Sequence, residues 1–318
     1  MNKKLSVCIP TYNRSKLLKL TLDSVLAQIN DEVELIVCDN ASSDNTQELM
    51  NEYVSKYNIS YYRSDKNRGM DYNFLQCLKN ATGEYIQLLS DDDVLLPGAI
   101  EKLLNLISKY KPIYINLNSY TYNGEYNPEE KKPPRMALEN NLITNNKDEY
   151  INKIGVYITY ISATCIRRKD FLKLENPEKY MGTYFLHAHC VLDILKKDND
   201  TPVIITKDAF LAAKNNNSGH FNLYKVWVYE YKKLLLSTAV NSGFSKKVMK
   251  NIYINDINGF IRDSILKYRS VDNDYKMSKS YFLFKHTFMY PSVWIKTYKY
   301  AFLPKGIVRK IYYRKRRK

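Results

Sequence analysis

Glycine is sparse in this sequence, and its spacing argues against two common kinds of nucleotide-binding site. The chain of 318 residues has ten glycines, and no two lie closer than fourteen positions apart. The dinucleotide motif G-x-G-x-x-G and the P-loop motif G-x-x-x-x-G-K-[ST] both need closer glycines. A dinucleotide dehydrogenase and a P-loop NTPase are therefore disfavoured.

Paired cysteines and long apolar runs are also missing. The five cysteines are odd in number and form no C-x-x-C pair, which fits a reducing compartment better than a disulfide scaffold. The N-terminal stretch MNKKLSVCIPTYNR lacks the apolar length of a secretory signal. No charge-free stretch reaches the roughly 18 apolar residues of a spanning helix. We therefore expect a cytoplasmic protein.

Acidic residues are absent from the C-terminal tail. No Asp or Glu follows Asp274, whereas residues 276–318 contain thirteen Lys or Arg. The formal net charge is +16, so 16 − 13 leaves +3 for the rest of the chain. Such a tail suggests a polyanionic partner, either a nucleic acid or an anionic membrane surface.

The first 118 residues alternate between strand and helix patterns. Strands are predicted at Leu5–Pro10, Val33–Cys38, Ile59–Arg63, Glu84–Leu89 and Ile113–Leu117, and helices at Ser15–Gln28, Asp44–Tyr57, Met70–Asn80 and Pro97–Lys109. This alternation implies an α/β fold with a mainly parallel sheet and helices on both faces. Farther along, strands are predicted at Tyr157–Ile166 and Val203–Ala213, and helices at Met181–Lys197, Tyr224–Ser242 and Lys246–Tyr268.

Three polar loops follow predicted strands and are expected at one edge of the sheet. They are Thr11–Arg14, Asp39–Ser43 and Ser90–Asp93, and open α/β sheets bind ligands beyond the carboxyl ends of their strands. Without a glycine loop, a divalent cation held by aspartates would offset the charge of a phosphorylated ligand. Each acidic stretch alone is more simply a solvated turn with a helix N-cap. Their shared edge favours a binding site.

Four segments, taken in order, resemble one protein family. They are SVCIPTYNR (Ser6–Arg14), ELIVCDNASSDNT (Glu34–Thr46), NRG (Asn67–Gly69) and ATGEYIQLLSDDDVLLPGAIEKL (Ala81–Leu103). Together they are similar to the successive signatures of the family 2 glycosyltransferases, over about residues 4 to 110. The resemblance implies a GT-A fold and an inverting, metal-dependent transfer of a sugar from a nucleotide-sugar donor.

The resemblance also implies roles for individual residues. Those expected to bind the donor are Pro10, Thr11, Tyr12, Asn13, Arg14, Asp39, Asn67, Arg68, Gly69, Asn73 and Asp91. Asp39 would hydrogen-bond the base, and Asn67 to Gly69 with Asn73 would close around the nucleotide and the sugar. Asp92 and Asp93 would hold the metal, Mn²⁺ or Mg²⁺.

The aspartate cluster departs from the form that the family usually shows. The usual form is Asp-x-Asp-Asp, and here Ser90 stands at the first of these positions. Asp92 then aligns with the metal-ligating carboxylate, while Asp91 and Asp93 form a D-x-D frame of their own. The cluster is expected to bind the metal through one of these two frames.

The base that takes the proton of the acceptor hydroxyl is also altered. Many family members use the aspartate of a Glu-Asp pair, and the corresponding stretch here, Gly182–Leu195, has no such pair. His187 is the leading candidate because imidazole titrates near neutral pH, and His189 is the second. A packed histidine is the alternative for both. His220 lies in a Gly- and Asn-rich loop and would either close over the diphosphate or belong to a mobile loop.

Two domains are expected. Residues 1–222 would form the GT-A domain, with a donor half at about 1–118 and an acceptor half at about 119–222, and residues 223–318 a helical region with the basic tail. In the tail, one helical face is predicted to carry Val293, Trp294, Tyr298, Ala301 and Phe302. Such a basic, aromatic stretch suits a membrane interface, and a solvated tail with a core helix is the alternative.

The leading hypothesis is a glycosyltransferase of surface-polysaccharide synthesis. The resemblance implies a saccharide or lipid-linked saccharide acceptor and a peripheral enzyme on the inner face of the cell membrane. A nucleic-acid-binding protein is the first alternative, but no nucleic-acid module precedes the tail, so no nucleic-acid partner is expected. A catalytically silent sugar-binding relative is the second, since the first metal Asp and the Glu-Asp pair are both altered.

Overall fold

The computed structural model describes residues 3–130, 132–198, 200–215, 222, 224–271 and 284–316. Contacts between residues divide the chain into two compact units, Met1–Gly219 and His220–Lys318, called unit 1 and unit 2 below. The sequence prediction placed this division after residue 222.

Unit 1 is built on one nine-stranded sheet. Its strands are β1 (Leu5–Thr11), β2 (Val33–Asp39), β3 (Ile59–Arg63), β4 (Tyr85–Leu88), β5 (Val94–Leu95), β6 (Tyr114–Tyr122), β7 (Leu142–Thr144), β8 (Thr164–Arg167) and β9 (Val203–Lys214). Their order is β3-β2-β1-β4-β8-β6-β9-β5, and β7 pairs with β9. The pairs β1–β2, β1–β4, β2–β3 and β6–β9 are parallel, whereas β5, β7 and β8 run antiparallel to their neighbours. This confirms the predicted α/β class with a mainly parallel sheet.

Helices cover both faces of this sheet. They are α1 (Ser15–Leu26), α2 (Thr46–Lys56), α3 (Met70–Asn80), α4 (Ala99–Tyr110), α5 (Lys147–Ile154), α6 (Arg168–Phe171) and α7 (Leu186–Lys197). Leu22 of α1 and Leu103 of α4 join Val7 of β1 in one buried core, and burying each such side chain contributes about 1.5–3 kcal/mol. Cys8 points to the opposite face, where its Sγ lies 3.6 Å from the carbonyl oxygen of Cys77 in α3.

Two predicted elements of unit 1 are corrected. The strand predicted at Tyr157–Ile166 is correct only from Thr164, because the chain forms 3₁₀ turns at Gly155–Thr159 and Ile161–Ala163 before β8 begins. The helix predicted from Met181 begins at Leu186. Gly182 and Tyr184 have φ values of 82° and 68°, and a right-handed helix cannot accommodate them.

Unit 2 is helical, as the sequence predicts. Its helices are α8 (225–239), α9 (246–271), α10 (291–302) and α11 (Lys305–Arg316). The first three contain π-helical turns, at Lys225–Glu230, Leu234–Ala239, Ile257–Ile261 and Trp294–Tyr298. In the part of the chain that the structure describes, no helix has both the length and the apolar character that a bilayer span requires.

The single apolar face predicted for α10 is wrong, because its residues belong to two adjacent rows. Val293, Thr297 and Ala301 are completely buried, and Thr297 donates a hydrogen bond of 2.8 Å to Oδ1 of Asn258 in α9. Trp294, Tyr298 and Phe302 form the second row, each one position later, where successive ring centroids lie 4.7 and 4.5 Å apart. Residues four apart share a helix face, so the first row anchors α10 and the second lies beside it.

Candidate functional site

The carboxyl ends of β1, β2 and β4 bring the three predicted loops to one edge of the sheet. Thr11 and Asp39 are partners in the parallel register of β1 and β2, and the amide of Asn40 donates to the carbonyl oxygen of Thr11 at 3.0 Å. The hydroxyl of Thr11 donates to the carboxylate of Asp91 at 2.8 Å. Side chains from all three loops therefore meet at this edge, which we call the rim.

Asp39 is fully buried at the rim, and donors surround its carboxylate. Oδ1 accepts from the amide and the hydroxyl of Ser42, at 2.8 and 2.6 Å. Oδ2 accepts from the hydroxyl of Tyr61 at 2.8 Å and lies 3.3 Å from Nε of Arg63. These charge-assisted contacts hold the loop after β2 in one conformation. Recognition of a nucleotide base by Asp39 stays a prediction.

The loop after β1 is fastened to the loop after β2 through Asn13. This residue has a left-handed φ of 53°, and its side-chain oxygen accepts from the amide of Ser43 at 2.6 Å. Its own amide donates to the hydroxyl of Ser42 at 2.9 Å. Of its predicted neighbours in the donor site, Pro10 is buried in β1 and Tyr12 is exposed. Tyr12 and Asn13 are thus the exposed residues of this loop, accessible to a ligand.

Asn40 holds the turn Asn67–Gly69 at the same edge. Its Nδ2 donates to Oδ1 of Asn67 at 2.8 Å and to the carbonyl oxygen of Gly69 at 3.1 Å. Its Oδ1 accepts from the amide of Arg68 at 3.0 Å. Gly69 has a φ of 89°, a conformation that favours glycine, and it leads directly into α3. The turn is therefore placed by one side chain of the loop after β2.

The side chain of Asn73 in α3 contacts the ends of β1 and β2 at the rim. Its Nδ2 donates to the carbonyl oxygens of Thr11 and Cys38, at 3.2 and 2.9 Å. Its buried Oδ1 has no hydrogen-bond partner among the described residues. Because buried polar atoms are nearly always paired, this oxygen is available to a donor group of a ligand or to water.

Arg14 faces the first two aspartates of the cluster. Its Nη1 lies 3.1 Å from Oδ1 of Asp91 and 3.3 Å from Oδ2 of Asp92. The other oxygen of Asp92 accepts from the hydroxyl of Ser90 at 2.5 Å. Burial raises the pKa of Asp91 to about 6, against the opposing effect of Arg14. Ser90, which replaces the usual first aspartate, thus serves as a donor to Asp92.

Asp93 points away from Arg14 and is held by donors on other segments. Oδ1 accepts from the amide of Lys214 at 2.9 Å, and Oδ2 accepts from the hydroxyls of Tyr160 and Ser162 at 2.6 and 2.5 Å. Burial, followed by the charge of Asp92, raises the pKa of Asp93. The three consecutive aspartates therefore have different surroundings.

The donor set at the rim suits a hard divalent cation. Three carboxylates share one loop, and within the described ranges Arg14 is the cation paired with Asp91 and Asp92. The same ranges contain no prearranged group of three His, Cys, Asp or Glu side chains around a metal position. Mg²⁺ is often bound by one or two carboxylates together with substrate phosphates. The residues fit a cation of that kind, completed by a phosphorylated ligand.

His187 and His189 lie in the first turn of α7, and both are buried. His187 is 2% exposed, its Nε2 lies 3.1 Å from the carbonyl oxygen of Thr159, and its ring packs edge-on against Phe74. Burial lowers the pKa of His187 to about 4, so the ring is neutral at pH 7. His189 stacks on Tyr180 with ring centroids 4.3 Å apart. This geometry does not support either imidazole as the base, and that prediction stays untested.

Several residues that organise the site carry no signal in the sequence. Asp71 of α3 caps α7, since its carboxylate accepts from the amides of Tyr184 and Leu186 at 2.9 and 3.3 Å. Tyr160 and Ser162, the partners of Asp93, fell within the wrongly predicted part of a strand. No local pattern marks these contacts, because they join segments far apart in sequence. His220 lies outside the described residues.

Comparison of the sequence with known proteins identifies relatives. Residues 6–174 match the family described as Glycosyl transferase family 2. The abequosyltransferase RfbV of Salmonella typhimurium is 28% identical over 227 residues, which cover 67% of this chain and 68% of that protein. The GalNAc(5)-diNAcBac-PP-undecaprenol beta-1,3-glucosyltransferase of Campylobacter jejuni is 37% identical over 103 residues, covering 32% of this chain and only 33% of that protein.

Solved structures share the fold. The structure of residues 1–349 of S. aureus TarS with UDP-GlcNAc superposes with a TM-score of 0.63 at 14% identity, covering 98% of this chain and 92% of that one. The mannosyltransferase PcManGT of Pyrobaculum calidifontis, solved with GDP-Man and Mn²⁺, gives a TM-score of 0.53 at 13% identity, covering 98% and 87%. At such identities the likeness speaks for the fold alone.

Proposed function

Because this chain belongs to glycosyl transferase family 2, matched over more than half its length, we propose a specific transfer reaction. The chain would move a sugar from a nucleotide-sugar donor to a saccharide or lipid-linked saccharide acceptor, with inversion at the anomeric carbon. The observation that carries this proposal is the rim, where Arg14, Asp91 and Asp92 lie in contact beside the loops after β1 and β2.

The donor would lie along the rim. The loops fastened by Asn13 and Asn40 offer backbone and side-chain groups to a nucleotide, and the buried oxygen of Asn73 can accept one further hydrogen bond. Asp39, held in place by Ser42 and Tyr61, would hydrogen-bond the base. The solved neighbours with UDP-GlcNAc and GDP-Man support a nucleotide-sugar as the ligand class.

Asp92 would hold a divalent cation, with Asp91 beside it and Arg14 as a second positive group. When bound, Mn²⁺ or Mg²⁺ supplies Lewis-acid stabilisation of the leaving nucleoside diphosphate. The neighbour solved with Mn²⁺ supports this choice of cofactor. Arg14 already compensates part of the charge of the two carboxylates, which would keep the site intact before the donor arrives.

The biological role would be synthesis of a surface polysaccharide or its lipid-linked precursor. The name of the Campylobacter glucosyltransferase includes an undecaprenol diphosphate and supports this acceptor class. The test is a screen of nucleotide sugars for metal-dependent release of nucleoside diphosphate, with lipid-linked saccharides as acceptors. We expect release of nucleoside diphosphate that stops when EDTA is added, and a glycosylated product whose anomeric configuration is inverted relative to the donor. Metal-independent release would overturn the metal assignment.

A catalytically silent sugar-binding protein is the second candidate, favoured by the burial of both histidines of α7. The same screen separates the two functions. A silent relative binds a nucleotide sugar, as measured by calorimetry, but releases no nucleoside diphosphate with any acceptor. A transferase does both, and failure to bind any nucleotide sugar would exclude both.

Unit 2 would attach the enzyme to the cytoplasmic face of an anionic membrane. Phe288, Met289, Ile295 and Phe302 are 57%, 72%, 68% and 49% exposed, which is unusual for large apolar side chains so close in sequence. Exposed lysines and arginines accompany them, and no acid follows Asp274. Aromatic and basic residues together suit the headgroup region of an anionic leaflet.

Co-sedimentation with liposomes tests this attachment. Binding to vesicles with anionic lipid, and little binding to neutral vesicles, is expected. Replacing Ile295 and Phe302 by serine should weaken it, whereas Leu172→Ser, which alters an equally exposed leucine of unit 1, should not. Tight binding to duplex DNA in the absence of vesicle binding would instead favour the nucleic-acid alternative.

A further inference from the structure

Asp93 joins four segments of unit 1 that are distant in sequence, through its carboxylate and its backbone carbonyl. Its side chain accepts from Tyr160 and Ser162 in the 3₁₀ segment before β8 and from the amide of Lys214 at the end of β9. Its carbonyl oxygen accepts from the hydroxyl of Thr21 in α1 at 2.8 Å. One buried residue therefore connects the aspartate loop with α1, the 3₁₀ segment and β9.

Ser162 contacts both the first and the last residue of the aspartate loop. Its hydroxyl accepts from the amide of Ser90 at 2.9 Å while it donates to Asp93 at 2.5 Å. Both ends of the loop Ser90–Asp93 are thus held by one side chain. Tyr122 adds a contact from β6, donating to the carbonyl oxygen of Asp92 at 3.2 Å. The loop has little freedom to turn, and Asp92 stays beside Arg14 together with Asp91.

Asp93 itself is poorly placed to ligate a cation. Both of its oxygens already accept hydrogen bonds, and in each case the donor lies on a segment other than the aspartate loop. A metal ligand in this position would have to give up those partners and leave buried donors unpaired, which is costly. The family resemblance implied Asp93 as a metal ligand, and the sequence did not reveal these donors because they lie far from Asp93 along the chain.

We propose that Asp93 is a positioning residue, which fixes the aspartate loop against residues 160–162 and Lys214 so that Asp92 faces the cation. This inference rests on the proposed function, since it takes Asp92 as the metal carboxylate. It also makes the 3₁₀ segment and the end of β9 part of the machinery that places Asp92, although neither contacts the cation.

The test separates positioning from ligation by removing the donors while keeping the carboxylate. The variants that remove donors are Tyr160→Phe, Ser162→Ala and the double variant Tyr160→Phe/Ser162→Ala, and they are compared with Asp93→Asn, which removes the carboxylate. Tyr85→Phe is the matched control, because it removes a buried hydroxyl that donates at 2.8 Å to the carbonyl oxygen of Pro112 at the opposite end of β4. Binding of Mn²⁺ in the presence of UDP or GDP is followed by electron paramagnetic resonance.

If Asp93 positions the loop, the double variant should weaken Mn²⁺ binding by at least about fivefold, in the same direction as Asp93→Asn. If Asp93 is a ligand, Asp93→Asn should weaken binding while the double variant leaves it unchanged or tightens it, because a carboxylate oxygen is released. The second result would overturn the proposal. Tyr160→Phe alone, the mildest change, gives the same comparison if the double variant folds poorly.

Hydrogen exchange of the ligand-free protein provides a readout that does not depend on the metal. The amide of Lys214, whose acceptor Asp93 is kept, should exchange at least about fivefold faster in the double variant than in wild type or Tyr85→Phe. Unchanged exchange would reject the positioning role even if Mn²⁺ binds. Faster exchange in a protein that binds no Mn²⁺ would instead support the role and reject the proposed metal dependence.

Discussion

The two units manage charge in opposite ways. At the rim of unit 1, negative charges are buried and each is matched by specific donors, as for Asp39 and Asp93. In unit 2, positive charges such as those of Lys310 and Arg314 are exposed. A buried charge needs a partner at one position, whereas exposed charges act together through a long-range field. Single substitutions should therefore matter greatly at the rim and only cumulatively in unit 2.

The largest effect is expected at Asp92. Asp92→Ala should lower turnover by at least about 10³-fold, since a catalytic cation stabilises the leaving group by several kcal/mol. The melting temperature should stay the same or rise, because a carboxylate beside Asp91 and Asp93 is removed. Turnover with saturating Mn²⁺ and circular-dichroism melting provide the two readouts. Wild-type turnover with unchanged metal dependence would contradict the assignment.

In unit 2, substitution of one basic residue should have a smaller effect on membrane binding, and the effects of two substitutions should add. Lys310→Ala/Arg314→Ala should weaken binding to anionic vesicles about 30-fold, because each basic residue near the leaflet contributes about 1 kcal/mol. Each single variant should weaken it about fivefold. Lys66→Ala/Lys102→Ala, which removes two exposed lysines of unit 1, is the control. A single variant as damaging as the pair would break the distinction between the units.

Asp256 of unit 2 is a half-buried carboxylate that accepts a hydrogen bond of 2.6 Å from the hydroxyl of Tyr231. Burial raises its pKa to about 6, above the unfolded value of about 3.9. The folded state therefore binds this proton more tightly, and the stability that this supplies below pH 4 is lost as the pH rises through 6.

Asp256→Asn should accordingly stabilise unit 2 at pH 7.5 by about 2 kcal/mol and have almost no effect at pH 4. Both tryptophans, Trp227 and Trp294, belong to unit 2, so denaturation followed by tryptophan emission measures this unit. Asp263→Asn, at a half-exposed carboxylate paired with Lys315, should show no such gain. A stabilisation of Asp256→Asn that is equal at both pH values would reject this explanation.

The smallest effect is expected at His187. Its burial and its contact with Thr159 suggest that His187→Asn, whose amide can still donate to that carbonyl, will keep turnover within about tenfold. Loss of a general base would instead cost about 10²–10⁴-fold. Steady-state turnover of His187→Asn and wild type over a pH series decides whether His187 is a packed residue or the general base. A large loss with unchanged melting temperature would restore His187 as the base.

The part of the fold predicted correctly rests on local patterns. The strands β1 to β4 and their helices each carry their own periodicity, and the rule that ligands meet the carboxyl ends of strands placed Thr11, Asp39 and Asp91 at one edge. The position of the rim therefore follows from local patterns in the sequence together with one general rule of sheet topology.

The partners of the rim carboxylates could not be predicted in the same way. Tyr61 lies 22 residues from Asp39, and Tyr160 and Ser162 lie 67 and 69 residues from Asp93. Such donors are brought together by sheet order and have no mark in the sequence. The prediction of a single apolar face on α10 was wrong for another reason. The buried row includes the polar Thr297 and the neighbouring row is aromatic, and the two differ by one position, so periodicity alone does not tell which one is buried.

The five cysteines make the unfolding of unit 1 measurable separately from that of unit 2. All five are buried, and all five belong to unit 1. Burial raises the pKa of Cys8, Cys77 and Cys165, and the thiolate is the form that reacts. A thiol-labelling reagent therefore reports how often unit 1 opens, while tryptophan emission reports unit 2. One denaturant series would show whether the two halves of the chain unfold together or one after the other.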